Sequence, residues 1–167
     1  LEKEPAIAGK ARFVGMHGSF NWSHKEPGHE PVAEFNVLED IKACKKVFNA
    51  QWVDPVITPL DTCGKIVLKG EKFQKICECD DPAVRALMEN YRIWLGDDNP
   101  YKSSVLFDTV AVYLAFSNDL LQMRKMGVRI DDNGFTVPDT EALEFNVALD
   151  WNDIDKFEDF LVERLCS

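Results

Sequence analysis

Short apolar runs alternate with helix-spaced apolar stripes through the first half of the chain, and this alternation narrows the fold more than any other feature. Lys10-Ala11-Arg12-Phe13-Val14-Gly15-Met16 reads as a short buried strand running into a turn at His17-Gly18-Ser19. Pro55-Val56-Ile57-Thr58-Pro59-Leu60 reads as another, with ends made irregular by its prolines. Between them, residues 40–50 place Ile41, Cys44, Val47 and Phe48 on one stripe, which predicts a helix. Asp81-Pro82 supplies a cap and a first-turn proline. Val84, Leu87, Met88, Tyr91 and Leu95 follow at helical spacing until Gly96 closes the helix.

After a turn-like Asp97-Asp98-Asn99-Pro100, residues 104–116 are almost entirely apolar and predict a helix buried on all sides. Val128-Arg129-Ile130, Phe135-Thr136-Val137 and residues 143–149 read as strands. Residues 151–165 form a final amphipathic helix carrying Ile154, Phe157, Leu161 and Leu165. This order of elements belongs to the α/β class. At 167 residues the chain suits one domain, 1–167, with a substantial core.

Charge excludes some partners. With 19 basic and 29 acidic residues the net charge is −10, and no Lys/Arg-rich run offsets it. A nucleic-acid backbone is therefore not an expected partner. A neutral or cationic small ligand, or a metal held by carboxylates, fits this balance, as does a surface that is acidic for solubility alone. No apolar stretch approaches the roughly 20 residues of a membrane span, so no membrane partner is expected. The five cysteines lack paired metal spacing; Cys77 and Cys79 make a CxC, a weak signal alone. Reduced thiols in a cytoplasmic protein are the expectation.

Two copies of one tetrapeptide stand out. Glu34-Phe35-Asn36-Val37 and Glu144-Phe145-Asn146-Val147 are identical. In a strand, Glu34 and Asn36 would point one way and Phe35 the other, aiming a carboxylate and an amide at one spot where they could grip a polyhydroxylated ligand or decorate a wet face. The second copy sits in regular polar/apolar alternation and reads as a half-exposed strand. Asp108 lies among apolar neighbours, where a carboxylate must be paired, hydrogen-bonded or metal-bound, or favoured by the amides of a helix start. His17, His24 and His29 share one loop region without tight ligand spacing. No histidine partner marks a cysteine nucleophile.

PVAEFNVLEDIKACKKVF resembles the segment of inosine–uridine-type nucleoside hydrolases in which a glutamate and an asparagine hold the ribose, an acidic residue (here Asp40) opening the next helix. Phe13 to Ser19 resembles the family's strand ending in Met-Gly-Gly. Pro59-Leu60-Asp61-Thr62 resembles its Leu-Asp-x-Thr turn, and Leu106 to Val112 its His-Asp-Pro-x-Ala-Val helix start. Residues 148–165 are similar to the closing strand and helix. The resemblance implies an open, mostly parallel sheet flanked by helices, with additional short strands near the C-terminus. It further implies hydrolysis of the N-glycosidic bond of purine and pyrimidine ribonucleosides, as in salvage, through an oxocarbenium-like state. A calcium ion would hold the ribose and activate water. By position, Asp108 would be the catalytic calcium ligand, Glu34 and Asn36 would bind ribose hydroxyls, and Met16 and Phe35 would pack near the sugar.

Two departures qualify this. The family's N-terminal DxDxxxDD cluster has no counterpart here, so the chain is expected to be the C-terminal portion of such a domain, completed by further polypeptide or another subunit. Phe107 stands where several members carry a proton-donating histidine, and phenylalanine transfers no proton. His17, His24, His29 or stacking by Trp22 would take over leaving-group activation. The alternative to an enzyme is a non-catalytic remnant or interaction module of the same fold, expected to be a homo-oligomer covering its exposed sheet edge.

Overall fold

In the computed structural model, which describes residues 1–21, 30–96 and 101–167, only Val14–Met16 (β1) of the first apolar run is extended. Ahead of it, Pro5–Lys10 coil into a 3-10 helix whose Ala6 amide donates to the Glu4 side chain. The segment after the 22–29 stretch is also not a strand. Phe35–Glu39 is a helix (α1), with Glu34 as its cap. The two identical tetrapeptides thus take different conformations. In a strand Phe35 and Val37 would share a face; in α1 Phe35 is 69% exposed while Val37 is fully buried. In the second copy, Phe145 and Val147 are both buried within Glu144–Trp151, as strand alternation requires. There Glu144 pairs with Lys125, and the Asn146 amide donates to Asp54.

The chain divides into two compact units: Leu1–Lys65 with Phe107–Asn152, and Ile66–Leu106 with Asp153–Ser167. The first holds the sheet. With Val56–Thr58 as β2, Leu121–Ile130 as β3, Thr136–Pro138 as β4 and Glu144–Trp151 as β5, the strand order is β1-β2-β5-β3-β4. β1 and β5 both run parallel to β2, whereas β3 is antiparallel to β5 and β4. The sheet is therefore mixed, its parallel part lying at β1, β2 and β5. β3 begins well before the predicted 128. Arg124 and Lys125, both exposed, hide it from an apolar scan, and its register with β5 shifts at Gln122/Met123.

Ile41–Phe48 (α2) follows its predicted stripe, and Asp40 caps it by accepting from the Ala43 amide at 2.8 Å. Cys44 and Phe48 join Val37, Ile57, Val128, Ile130, Phe145 and Val147 in the core. Phe48 stacks on Phe145 with ring centroids 4.8 Å apart. Leu60–Cys63 (α3) is a single buried turn after β2 that was not foreseen. Trp151 ends β5 rather than opening a helix, and its indole N–H donates to the Thr62 carbonyl at 3.1 Å.

The second unit is helical: Gly70–Cys77 (α4), Pro82–Leu95 (α5) and Ile154–Leu165, whose label is α7 because Phe107–Leu114 (α6) precedes it in the chain. The Asp81 carboxylate accepts from Ala83 and Val84 at 2.9 and 3.1 Å, the cap expected of Asp-Pro. Gly96 closes α5 with φ +70, open to glycine without strain. The turn expected at 97–100 lies outside the described residues. α4 packs on α7 through Lys72, which reaches Asp155, Glu158 and Asp159.

The two copies of the tetrapeptide yield a direct test. Phe145→Ala should cost about 3–5 kcal/mol in urea unfolding, whereas Phe35→Ala should stay within about 0.5 kcal/mol.

Candidate functional site

The carboxyl ends of parallel β1 and β2 lie side by side, and ligands of open α/β sheets bind at such strand ends. β1 leads into the turn His17-Gly18-Ser19. The His17 amide donates to Thr58 O at 3.2 Å, and Gly18 O accepts from Leu60 N at 2.9 Å. Gly18 has φ +87, and a Cβ there would lie 2.4 Å from Thr136 Oγ1. Only glycine makes this turn.

Glu34, 4% exposed, is bound into the same turn. Its Oε2 accepts from the Gly18 amide at 3.3 Å and its Oε1 from the Asn36 amide at 2.8 Å, and the Val37 amide also favours its charged form. A carboxylate offers about four acceptor positions, so acceptor capacity remains. Asn36 Nδ2 donates to the Met16 carbonyl at 3.1 Å and lies 3.3 Å from Met16 Sδ. Glu34 and Asn36 therefore do turn toward one place. Helix-cap geometry brings them there, not the strand alternation expected from the sequence.

Asp108 sits in the first turn of α6, which packs against β1, β2 and α3. The expectation of a helix buried all round is corrected. Val110, Tyr113 and Leu114 are buried, but Asp108 is exposed and Val112 is 65% exposed. The burial cost argued for this carboxylate does not arise. Its charge nonetheless acts on the site. Burial pushes the Glu34 carboxyl above the ordinary range, the three amides oppose this, and the Asp108 charge adds to the rise. Burial lowers the His17 pKa, with Asp108 opposing. The His17 ring lies 5.8 Å from Phe13 and 6.0 Å from Phe48, and its Nδ1 is buried without a partner.

Met16, Glu34 and Asn36 are thus in direct contact, with Asp108 in electrostatic reach of Glu34; Phe35 is turned to solvent. Trp22, His24 and His29 lie outside the described residues. Sequence reasoning missed what Asp61 does. Only 3% exposed, it accepts from Phe20 N, Asn21 N and Asn21 Nδ2 at 2.9, 2.8 and 3.2 Å, anchoring the chain that leaves the turn. The Pro-Leu-Asp-Thr spacing marked the position without revealing a loop anchor.

Calcium takes six to eight oxygen ligands. Among the described residues no three His, Cys, Asp or Glu side chains are grouped to hold a metal, and Glu34 is already engaged by amides. These residues do not by themselves fit a calcium ion.

A family model for the inosine-uridine preferring nucleoside hydrolases matches residues 1–159. The chain belongs to this family. It is similar to a solved inosine-uridine preferring nucleoside hydrolase from Bacillus anthracis, with 25% identity and a TM-score of 0.75 over 99% of this chain and 54% of that one. A plant nucleoside hydrolase shares the fold at 17% identity and TM-score 0.76, over 99% of this chain and 57% of its own. The chain thus spans a little over half the length of these nucleoside hydrolases. Among curated protein sequences no match is found. Among the described residues no helix is long and apolar enough to cross a membrane.

The raised Glu34 pKa has a signed consequence for stability. Between its ordinary value of 4.5 and its folded value, the folded chain keeps a proton that the unfolded chain has lost. Stability is fully present below the ordinary value and falls as pH rises through the folded one. In urea titrations across pH, Glu34→Gln should flatten this fall; an unchanged slope would assign it elsewhere.

Proposed function

We propose that this chain carries the sugar-facing part of an enzyme that hydrolyses the N-glycosidic bond of ribonucleosides. The observation that carries the reading is the convergence of Glu34 and Asn36 on the carboxyl end of β1, within electrostatic reach of the Asp108 carboxylate, in a chain of this family. The remaining acceptor capacity of Glu34 and the exposed Asn36 amide suit neighbouring ribose hydroxyls. Met16 and Phe35 offer apolar contact to the sugar ring.

Breaking the bond to the base leaves positive charge on the ribose. Fixed negative charge near that carbon stabilises the transition state more than the neutral substrate. Asp108, exposed and held on a packed helix, is the group suited to this. Calcium enters the proposal through Asp108 alone, one carboxylate ligand; further oxygen ligands must come from beyond the described residues. Phe107 supplies no proton to the departing base, so that role passes to another group; His17 is the described histidine, and it would have to be protonated to serve, against its lowered pKa.

A second reading is a ligand-binding module without turnover. It is favoured by the engagement of Glu34 with three amides and by the lack of a metal-holding group among the described residues. Ribose release from inosine and uridine, measured on the protein as its gene encodes it, separates the two. The enzyme reading predicts release, lost on chelation and reduced at least roughly 100-fold by Asp108→Ala with the fold unchanged, since the side chain is exposed. Nucleoside binding without any release would favour the module.

A further inference from the structure

The second unit brings together two thiols that neither the fold nor the proposed chemistry uses. Cys79 follows the last turn of α4, its amide donating to Ile76 O at 3.3 Å. Cys166 caps α7, its amide donating to Val162 O at 3.1 Å. The two helices run side by side in the same direction. Near their starts Lys72 of α4 grips Asp155, Glu158 and Asp159 of α7. At their ends each thiol reaches the backbone of the other's element. Cys79 Sγ lies 4.0 Å from Leu165 O, and Cys166 Sγ lies 3.8 Å from Lys75 O. The two thiols are also close enough that the Cys79 side chain raises the Cys166 pKa. Cys166 is exposed and Cys79 half-buried, so a small oxidant reaches the pair from solvent.

Cys77, two residues before Cys79, has the Arg92 charge of α5 as its neighbour, which opposes the rise that burial gives its pKa. The two other cysteines, Cys44 and Cys63, are buried in the first unit.

We propose that Cys79 and Cys166 form a reversible disulfide that staples the end of α4 to the end of α7 when the protein meets a peroxide. The chemistry balances in two steps. One sulfur attacks the peroxide O–O bond, giving a sulfenic acid and releasing water. The second sulfur then displaces that hydroxyl, forming the S–S bond and a second water. The thiols lose two electrons and two protons; hydrogen peroxide takes both and becomes two waters. A reducing thiol reverses the bridge by exchange. Burial, then the neighbouring Cys79 sulfur and the Asp81 charge, push the Cys166 thiol up to about 11. The reactive thiolate is therefore scarce near neutrality, and bridging is faster at alkaline pH.

The test oxidises the fully reduced chain with hydrogen peroxide and maps peptides by mass spectrometry without reduction. The expected result is one cross-linked pair joining Cys79 to Cys166, two hydrogens lighter, with free thiols falling from five to three. Dithiothreitol should restore them. The bridge should raise Tm by about 5–10 °C and form faster as pH rises from 7 to 9. Cys77→Ser should leave it intact, and Cys166→Ser should abolish it. A Cys77–Cys79 bridge, a cross-linked dimer, or oxidation of Cys166 to sulfinic acid without bridging would overturn the proposal. The wild-type map decides the matter even if a variant fails to fold.

Discussion

One buried carboxylate ties the candidate site together. Glu34 starts α1 by accepting the Asn36 amide and closes the turn after β1 by accepting the Gly18 amide. The same contacts set Asn36 against Met16. A buried carboxylate without such partners would be costly; here the amides offset part of that cost, and the turn, the helix start and the polar group become one unit. Asp108 then acts on that unit from α6. Its charge pushes the Glu34 carboxyl up in the same direction as burial does, which remains the larger effect.

How much of this was legible in the sequence depends on what range of interaction decides each element. α2 and α5 were readable because stripe, cap and closing residue agree locally; Asp40, Asp81-Pro82 and Gly96 act as written. β2, β4 and β5 followed from short apolar runs. α1 was not readable, because EFNV is compatible with both conformations. The choice is made by Gly18 and Val37, through a contact 16 residues back and by burial in the core. β3 was missed over its first half because its exposed Arg124 and Lys125 conceal the buried residues. The site residues were legible as types, a carboxylate and an amide in one segment and a carboxylate in another. Their means of convergence was not. Nor was the exposure of Asp108, since an apolar composition does not say which side of a helix is covered.

The two units divide the chemistry as they divide the chain. Met16, Glu34, Asn36, Asp61 and Asp108 all belong to the unit that holds the sheet, while the thiol pair belongs to the helical one. Family membership and fold rest on the whole pattern. Among the described residues no three His, Cys, Asp or Glu side chains gather to hold a metal. The fold persists here in recognisable form around a candidate site whose Glu34 and Asn36 also hold the backbone together.

The turn at Gly18 has a consequence for how this sequence can drift. A side chain there would run into Thr136 in β4, far away in the chain, whose hydroxyl is buried without a partner. Shrinking Thr136 to alanine would make room for that side chain but would not change the left-handed backbone. The two positions are therefore unequal in freedom: 136 can vary toward smaller side chains on its own, while 18 stays fixed whatever its neighbour becomes.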